Sequence, residues 1–200
     1  MNEHYHSIHG AVQESMHIFI NSGLNFCKSD PLNIFEVGFG TGLNALLTAA
    51  ESKKSNRIIN YTTIEKYPVE TDLLNKLNYS QFAGDSGKEI FSNIHSAEWG
   101  SKTQITDNFY LLKIKGDLTL SIPEGNFNLI YFDAFGPDKQ PEMWTKEMFS
   151  AIASVTNNNG ILVTYSAKGE IKRILKSCGF EVTLLPGPPG KRQMIRAIKI

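Results

Sequence analysis

Polar and apolar positions along the chain switch repeatedly between short apolar runs of β character and longer stretches with apolar residues every three or four positions. Met16–Asn25 has the helical spacing, with Ser15 placed as its cap. Ile34–Val37 predicts a buried strand, and Leu43–Glu51 the helix that follows it. "RIINYTTIE" predicts a second strand ending at Glu65, and Tyr67–Leu77 a helix opened around Pro68, a residue that a first turn tolerates. "FYLLKIKGD" predicts a third strand running to Asp117, and "FNLIYFDAF" a fourth ending near Asp133. "MWTKEMFSAIASV" has helical spacing, "NNNG" turns the chain, and "ILVTYS" is a fifth strand. "GEIKRILKSCG" is a helix closed by Gly179, after which "FEVTLL" and "QMIRAIKI" form a terminal hairpin around "PGPPGKR".

Strands that alternate with helices predict a parallel sheet covered on both faces, and two successive closing strands add an antiparallel edge. The expectation is a three-layer α/β, Rossmann-like methyltransferase fold: a mostly parallel seven-stranded sheet with an antiparallel C-terminal strand. A nicotinamide dehydrogenase domain usually has about six parallel strands instead. Residues 78–108 interrupt the alternation, and this polar insertion is expected to overhang the strand tips. The 200 residues suit a single domain spanning 1–200, with residues 1–30 as an N-terminal lid and helix segment. No apolar run approaches the roughly 20 residues of a membrane span. The start "MNEHYHSIHG" lacks a signal-peptide pattern, so a cytoplasmic location is expected. Twenty basic residues balance twenty acidic ones, so any nucleic-acid footprint must be local. Cys27 and Cys178 lie far apart and outside any CxxC pattern, which favours reduced thiols.

The chemistry concentrates in "EVGFGTGLN". Gly38, Gly40 and Gly42 follow the first strand directly, where backbone must approach a ligand closely and helix N–H groups point at it. The dinucleotide pattern GxGxxG needs glycine at position 43, where Leu43 stands. The spacing GxGxG with an acid two residues ahead, Glu36, is the form found in S-adenosylmethionine sites. A pyrophosphate would be repelled by that carboxylate, whereas an ammonium and a sulfonium are attracted by it. Three further acids end the next strands: Glu65, placed to accept from both ribose hydroxyls; Asp117, placed for the adenine amino group; and Asp133, beside the transferable methyl. Singly each is equally a helix cap or a loop carboxylate; in succession they describe a cofactor site. The expected cofactor set is Glu36, Gly38, Gly40, Thr41, Gly42, Asn44, Glu65, Lys66, Gly116, Asp117 and Asp133. Phe39 and Tyr67 are candidates to pack on the adenine or near the sulfonium, with plain packing the stronger alternative for Phe39.

"YHSIHGAVQES", "EVGFGTGLN", "IEKYP", "GD", "DAFGPDKQPEMW" and "PGPPGKRQM" occur in the order seen in the MnmC-type methyltransferase family, which the chain resembles over essentially its whole length. That family is the methyl-transferring half of a bifunctional enzyme acting on the tRNA wobble uridine. "DAFGPDKQPEMW" is the most specific element. The resemblance implies S-adenosylmethionine as cofactor, tRNA as substrate, and N-methylation of a 5-aminomethyl group on uridine or 2-thiouridine to 5-methylaminomethyl. An upstream enzyme would supply the amine. Because the chain ends at Ile200, the flavin-dependent oxidase half, and with it flavin, is not expected.

Asp133 is the candidate to take the substrate's ammonium proton or, alternatively, only to orient a cationic group; Phe135 and Pro137 are candidates for the wall that holds the aminomethyl arm. Trp144 either stacks on a base or belongs to the core. Lys139, Lys191 and Arg192 are candidate phosphate contacts, the last two equally a solvated turn. A metal held by His4, His6 and His9 is not expected, since transfer from a sulfonium needs none and no carboxylate or cysteine completes the set. A lid using Tyr5 and Ser7 suits that segment better. Two other classes remain open: a same-fold methyltransferase acting on another RNA or a small amine, and a nicotinamide-dependent oxidoreductase or non-catalytic nucleotide-binding module. Leu43 and the antiparallel tail argue against a nicotinamide enzyme, and the intact "DAFGP" against a non-catalytic module.

Overall fold

Strands buried on both faces need nearly continuous apolar runs, and the central strands supply them. In the computed structural model, which describes residues 10–74 and 77–200, the strands are β1 (Leu32–Val37), β2 (Ile59–Glu65), β3 (Lys102–Thr106), β4 (Phe109–Lys115), β5 (Phe127–Phe132), β6 (Thr156–Thr164), β7 (Phe180–Pro186) and β8 (Gln193–Lys199). They form one eight-stranded sheet in the order β3-β4-β2-β1-β5-β6-β8-β7. Strands β4, β2, β1, β5 and β6 run parallel, whereas β3 pairs antiparallel with β4, and β8 lies antiparallel between β6 and β7.

Alternation along β1 sorts its side chains between two cores. Leu32 and Ile34 join the core beneath α1 (Met16–Leu24), α2 (Leu43–Ser55) and α4 (Gly87–Ser96). Phe35 and Val37 join the core beneath α5 (Lys146–Val155) and α6 (Gly169–Ser177). Each core contains fully buried aromatic side chains: Phe19, Tyr61, Phe109 and Tyr131 in the first, Phe35, Phe132, Phe149 and Phe180 in the second.

The doubly wound architecture with an antiparallel C-terminal strand is as expected, but the sheet has eight strands rather than seven. The extra strand, β3, is "KTQIT", a largely polar edge strand with no apolar run to reveal it. It belongs to the 78–108 insertion, which extends the layered structure instead of overhanging the strand tips. Ile90 and Ile94 of α4 are buried in the core that α2 also covers, β3 closes the sheet edge, and Tyr79 alone of the insertion reaches the central cavity.

Three boundaries also differ. Ser15 does not cap a helix, because the chain is already helical from residue 10 and continues as a π-helical segment through α1. The helix expected over 67–77 is, among the described residues, the short α3 (Thr71–Leu74). "NNNG" lies inside β6, where Asn159 takes a left-handed conformation (φ 63°) and the register against β5 shifts between Phe127 and Leu129.

Helix α5 begins where Thr145 Oγ1 accepts the Met148 N–H at 3.2 Å. Thr145→Ala is expected to cost about 1 kcal/mol in urea denaturation with an unchanged slope; no loss of stability would show that the preceding turn at Pro141–Trp144 fixes the helix start unaided.

Candidate active site

The strand order reverses beside β1, with β2 on one side and β5 on the other, and ligands of such sheets bind beyond the carboxyl ends of the strands at that point. A cavity of about 760 Å³ lies there. Of the expected site residues, Gly38, Gly40, Thr41, Asn44, Glu65, Lys66, Gly116, Asp117, Asp133, Phe135 and Lys139 line it, and so does Tyr67.

Each strand end contributes through a specific contact. Gly38 adopts φ +88°, and a Cβ there would sit 2.9 Å from the Asp133 carbonyl oxygen, so only glycine lets the ends of β1 and β5 approach. Gly40 (φ +51°) has nothing within 4 Å of where a Cβ would lie, so that side chain would project into the cavity. The Gly40 N–H donates to Glu65 Oε2 at 3.0 Å and the Tyr67 N–H to Glu65 Oε1 at 2.9 Å, which fixes the carboxylate while leaving each oxygen a lone pair. Asp117 Oδ1 accepts from the Thr119 N–H and hydroxyl at 2.9 and 2.6 Å, and Oδ2 pairs with Lys66 at 2.8 Å. Lys66 and the Thr119 donors hold the Asp117 carboxyl down to about 2.

Asp133 differs from these two. It sits at the inner end of the cavity, where burial raises its carboxyl to about 7; Asn44 Nδ2, donating to Oδ2 at 2.8 Å, offsets part of the rise, and the Glu14 charge adds to it. Among the described residues Oδ1 has no hydrogen-bond donor, and Asp133 lines the cavity. Helix α2 starts at Gly42 with no side-chain cap and no acid in its first turn, so its N–H groups and positive dipole end stay available to an anion.

Six expected positions are not on the cavity wall. Glu36 is fully buried, because alternation along β1 turns it with Leu32 and Ile34 beneath α2. Burial raises its carboxyl to about 8, an effect that the adjacent Thr63, Asn44 and Tyr61 side chains partly offset, although among the described residues neither oxygen, nor Asn44 Oδ1 nor the Tyr61 and Thr63 hydroxyls, completes a well-aligned hydrogen bond. Glu36 therefore stands behind Asn44 rather than against a ligand. Gly42 (φ +73°) is needed for packing: a Cβ would press on Phe39 and His95. Trp144 is a core residue, its indole N–H donating to the Phe135 carbonyl at 2.8 Å and its ring edge-on to Phe132. Pro137 and Arg192 do not line the cavity, and Lys191 is ion-paired with Glu14. Phe39 packs against Trp99 and His95 and still lines the cavity, as do Tyr67 and Phe135, which are 74% and 77% exposed.

Sequence reasoning missed Glu14, Tyr79 and Tyr165, all on the wall. Tyr165 follows β6 directly, so the strand-end rule that found the acids also marks it; Glu14 and Tyr79 carried no such signal. His4, Tyr5, His6, Ser7 and His9 lie outside the described residues. Among the described residues, Cys27 and Cys178 are free thiols, no group of three or more metal-ligating side chains converges, and no helix is long and apolar enough to cross a membrane.

A glycine-paved loop and strand-end acids meet at the switch point of a doubly wound sheet, an arrangement suited to a nucleoside-bearing ligand. Residues 87–200 match the S-adenosyl-L-methionine-dependent methyltransferase family, and the chain belongs to that family. The tRNA 5-methylaminomethyl-2-thiouridine biosynthesis bifunctional protein MnmC of Campylobacter hominis is 34% identical over 167 residues, covering 82% of this chain and 25% of that protein. The protein of the same name from Pseudoalteromonas atlantica is 33% identical over 181 residues, covering 82% of this chain and 26% of that protein. The chain thus spans about a quarter of the length of these curated relatives. The crystal structure of MNMC2 from Aquifex aeolicus has the same fold, with a TM-score of 0.75 at 22% identity over 94% of this chain and 60% of that one. The resemblance read from the motifs therefore holds, and the nicotinamide alternative falls.

The raised carboxyls fix the sign of a pH effect. Glu36 and Asp133 hold protons in the folded chain that their unfolded counterparts have lost, so their contribution is present at low pH and disappears as pH rises through about 7 and about 8. His95, lowered from 6.5 to about 4, acts oppositely below that range, and Lys113, lowered to about 8, acts oppositely above it. Ligand-free protein should lose stability between about pH 6.5 and 8, and Glu36→Gln should gain on the wild type by on the order of 1–2 kcal/mol across that interval. Denaturant titrations at several pH values measure the difference; a gap that stays constant with pH contradicts a protonated Glu36.

Proposed function

We propose that the protein N-methylates the 5-aminomethyl group of a tRNA wobble uridine or 2-thiouridine, giving 5-methylaminomethyl, and that this cavity holds both S-adenosylmethionine and the acceptor. The observation that carries the reading is Asp133: a desolvated carboxyl at about 7, fixed through Oδ2 by Asn44, with Oδ1 left for the acceptor beside exposed Phe135. The names of the MnmC relatives, which specify methylaminomethyl-thiouridine biosynthesis on tRNA, support the choice of acceptor.

The residues present suit the cofactor. The open start of α2 accepts a carboxylate, Glu65 has lone pairs for the ribose hydroxyls, and Gly40 leaves room for the nucleoside. Asp117, already paired with Lys66, would accept from the adenine amino group through its remaining lone pair. When bound, S-adenosylmethionine supplies an electrophilic methyl group on a sulfonium sulfur.

What the chain must add is a deprotonated acceptor. An alkylammonium titrates near about 10, as lysine does, and has no lone pair to offer. Asp133 at about 7 is a stronger base than an ordinary carboxylate, and Oδ1 takes the proton. Desolvation that raises Asp133 also favours neutral amine over ammonium. Phe135 gives the uracil a face to lie on, and Lys139 at the rim meets phosphate. A preceding reaction has to expose the amine, so the protein acts after an enzyme that supplies aminomethyluridine.

Asp133→Asn preserves shape and removes the base. It should leave S-adenosylmethionine binding within a few fold by calorimetry while lowering methyl transfer to amine-bearing tRNA by roughly 10²–10⁴-fold. Nucleoside mass spectrometry reads the product; turnover near the wild-type rate would remove Asp133 from the chemistry.

A further inference from the structure

One corner of the cavity brings together groups from opposite ends of the chain. Glu14, on the helical turns before α1, and Tyr165, just beyond β6, both line the wall. Lys191, from the β7–β8 loop, is ion-paired with Glu14 and carries its ammonium 4.2 Å from the centroid of the Tyr165 ring. The charges of Glu14 and Lys191 both reach Asp133, the first favouring and the second opposing its protonation, so the four groups share one region.

The chemistry of that corner is specific. It holds a primary ammonium, on a methylene chain, between a carboxylate and an aromatic face, the combination that recognises alkylammonium groups. The receptor side is rigid. Tyr165 is fixed by its hydroxyl, which donates to the Ala134 carbonyl at 2.7 Å, and by edge-on packing with Trp144. Glu14 lies between Val12 and Ser15, both buried. The ammonium itself sits on the exposed end of a long, rotatable side chain from a loop that contains Gly187 and Gly190. A rigid ammonium receptor filled by a movable lysine resembles a binding site occupied by an internal substitute.

We propose that Glu14 and Tyr165 form the subsite for the acceptor's aminomethyl group, and that Lys191 fills it in the ligand-free protein until the acceptor displaces it. This rests on the amine-methylation reading. The acceptor enters as an ammonium between Glu14 and the Tyr165 ring; one N–H bond then breaks, the electron pair stays on nitrogen, and the proton passes to Asp133 Oδ1. Glu14 is a second carboxylate for the cation, which holds it in place while Asp133 takes the proton. The consequence is selectivity: an acceptor with a hydroxymethyl group in place of aminomethyl gains nothing from this corner and cannot dislodge Lys191.

The test uses protein saturated with S-adenosylhomocysteine and two probes, n-propylammonium and uncharged n-propanol, titrated by NMR. Glu14 and Lys191 are both partly exposed, so their variants fold with the core intact. Lys191→Met should tighten n-propylammonium binding roughly fivefold to tenfold, the scale of an ion pair with a cation–π contact, and Glu14→Gln should weaken it by a similar factor. Lys191→Ala should behave as Lys191→Met does, and n-propanol should respond to none of the changes. Equal n-propylammonium binding in all forms, or weaker binding in both Lys191 variants, would overturn the subsite. Methyl transfer to tRNA, followed in the same samples, separates the two readings. The expected probe pattern without transfer to tRNA keeps the ammonium subsite and overturns the wobble-uridine assignment, whereas transfer to tRNA with a flat probe pattern overturns the subsite alone.

Discussion

Five parallel strands brought into fixed register at one rim are the constraint on which the site depends. Val37 pairs with Ile64 on one side and Phe132 on the other, and Glu65 pairs with Lys115. The hydrogen bonds continue past the strands: the Gly38 N–H donates to the Ile64 carbonyl, the Asp133 N–H to the Val37 carbonyl, and the Gly116 N–H to the Glu65 carbonyl. A slip of one residue would turn every strand-end acid to the opposite face. The apolar pattern in the strands thus determines the chemistry beyond them, since it is burial of Phe35, Val37, Ile130 and Phe132 that sets the register.

Within that frame the acids divide into two kinds. Glu65 and Asp117 face the cavity with their charges met by backbone N–H groups, a hydroxyl and Lys66, and Asp117 stays ionised far into acid. Glu36 and Asp133 are desolvated, and in the absence of a bound cation burial favours the proton. Environments that push carboxyls apart in this way assign different tasks to the same functional group. The outer pair offers fixed acceptors on the cavity wall. Of the inner pair, Asp133 accepts from Asn44 and lines the cavity, whereas Glu36 lies behind Asn44.

Much of this was legible from the chain alone, because it depends on periodicity and on strand ends. The glycine loop, Glu65, Asp117 and Asp133 follow directly from where the apolar runs stop. The failures have local causes. Glu36 precedes the glycines by two residues, yet period-two alternation places it beneath α2, and knowing which face α2 covers requires the fold. Trp144 looks like a stacking residue until its indole finds the Phe135 carbonyl inside the core. Strand β3 is a polar edge whose pairing comes from its neighbour β4 rather than from its own composition. Glu14 and Lys191 come from opposite ends of the chain, and only the folded topology brings them together.

The proposed site depends on whether the half-buried Asp133 carboxyl beside the glycine loop meets a cationic methyl donor. Calorimetry of S-adenosylmethionine binding at about pH 6.5, in two buffers with different ionisation enthalpies, tests it most directly. A cation beside Asp133 lowers it toward an ordinary carboxylate value, so binding should expel protons into the buffer, and Asp133→Asn should reduce the number expelled. Binding whose apparent enthalpy is the same in both buffers would contradict the account.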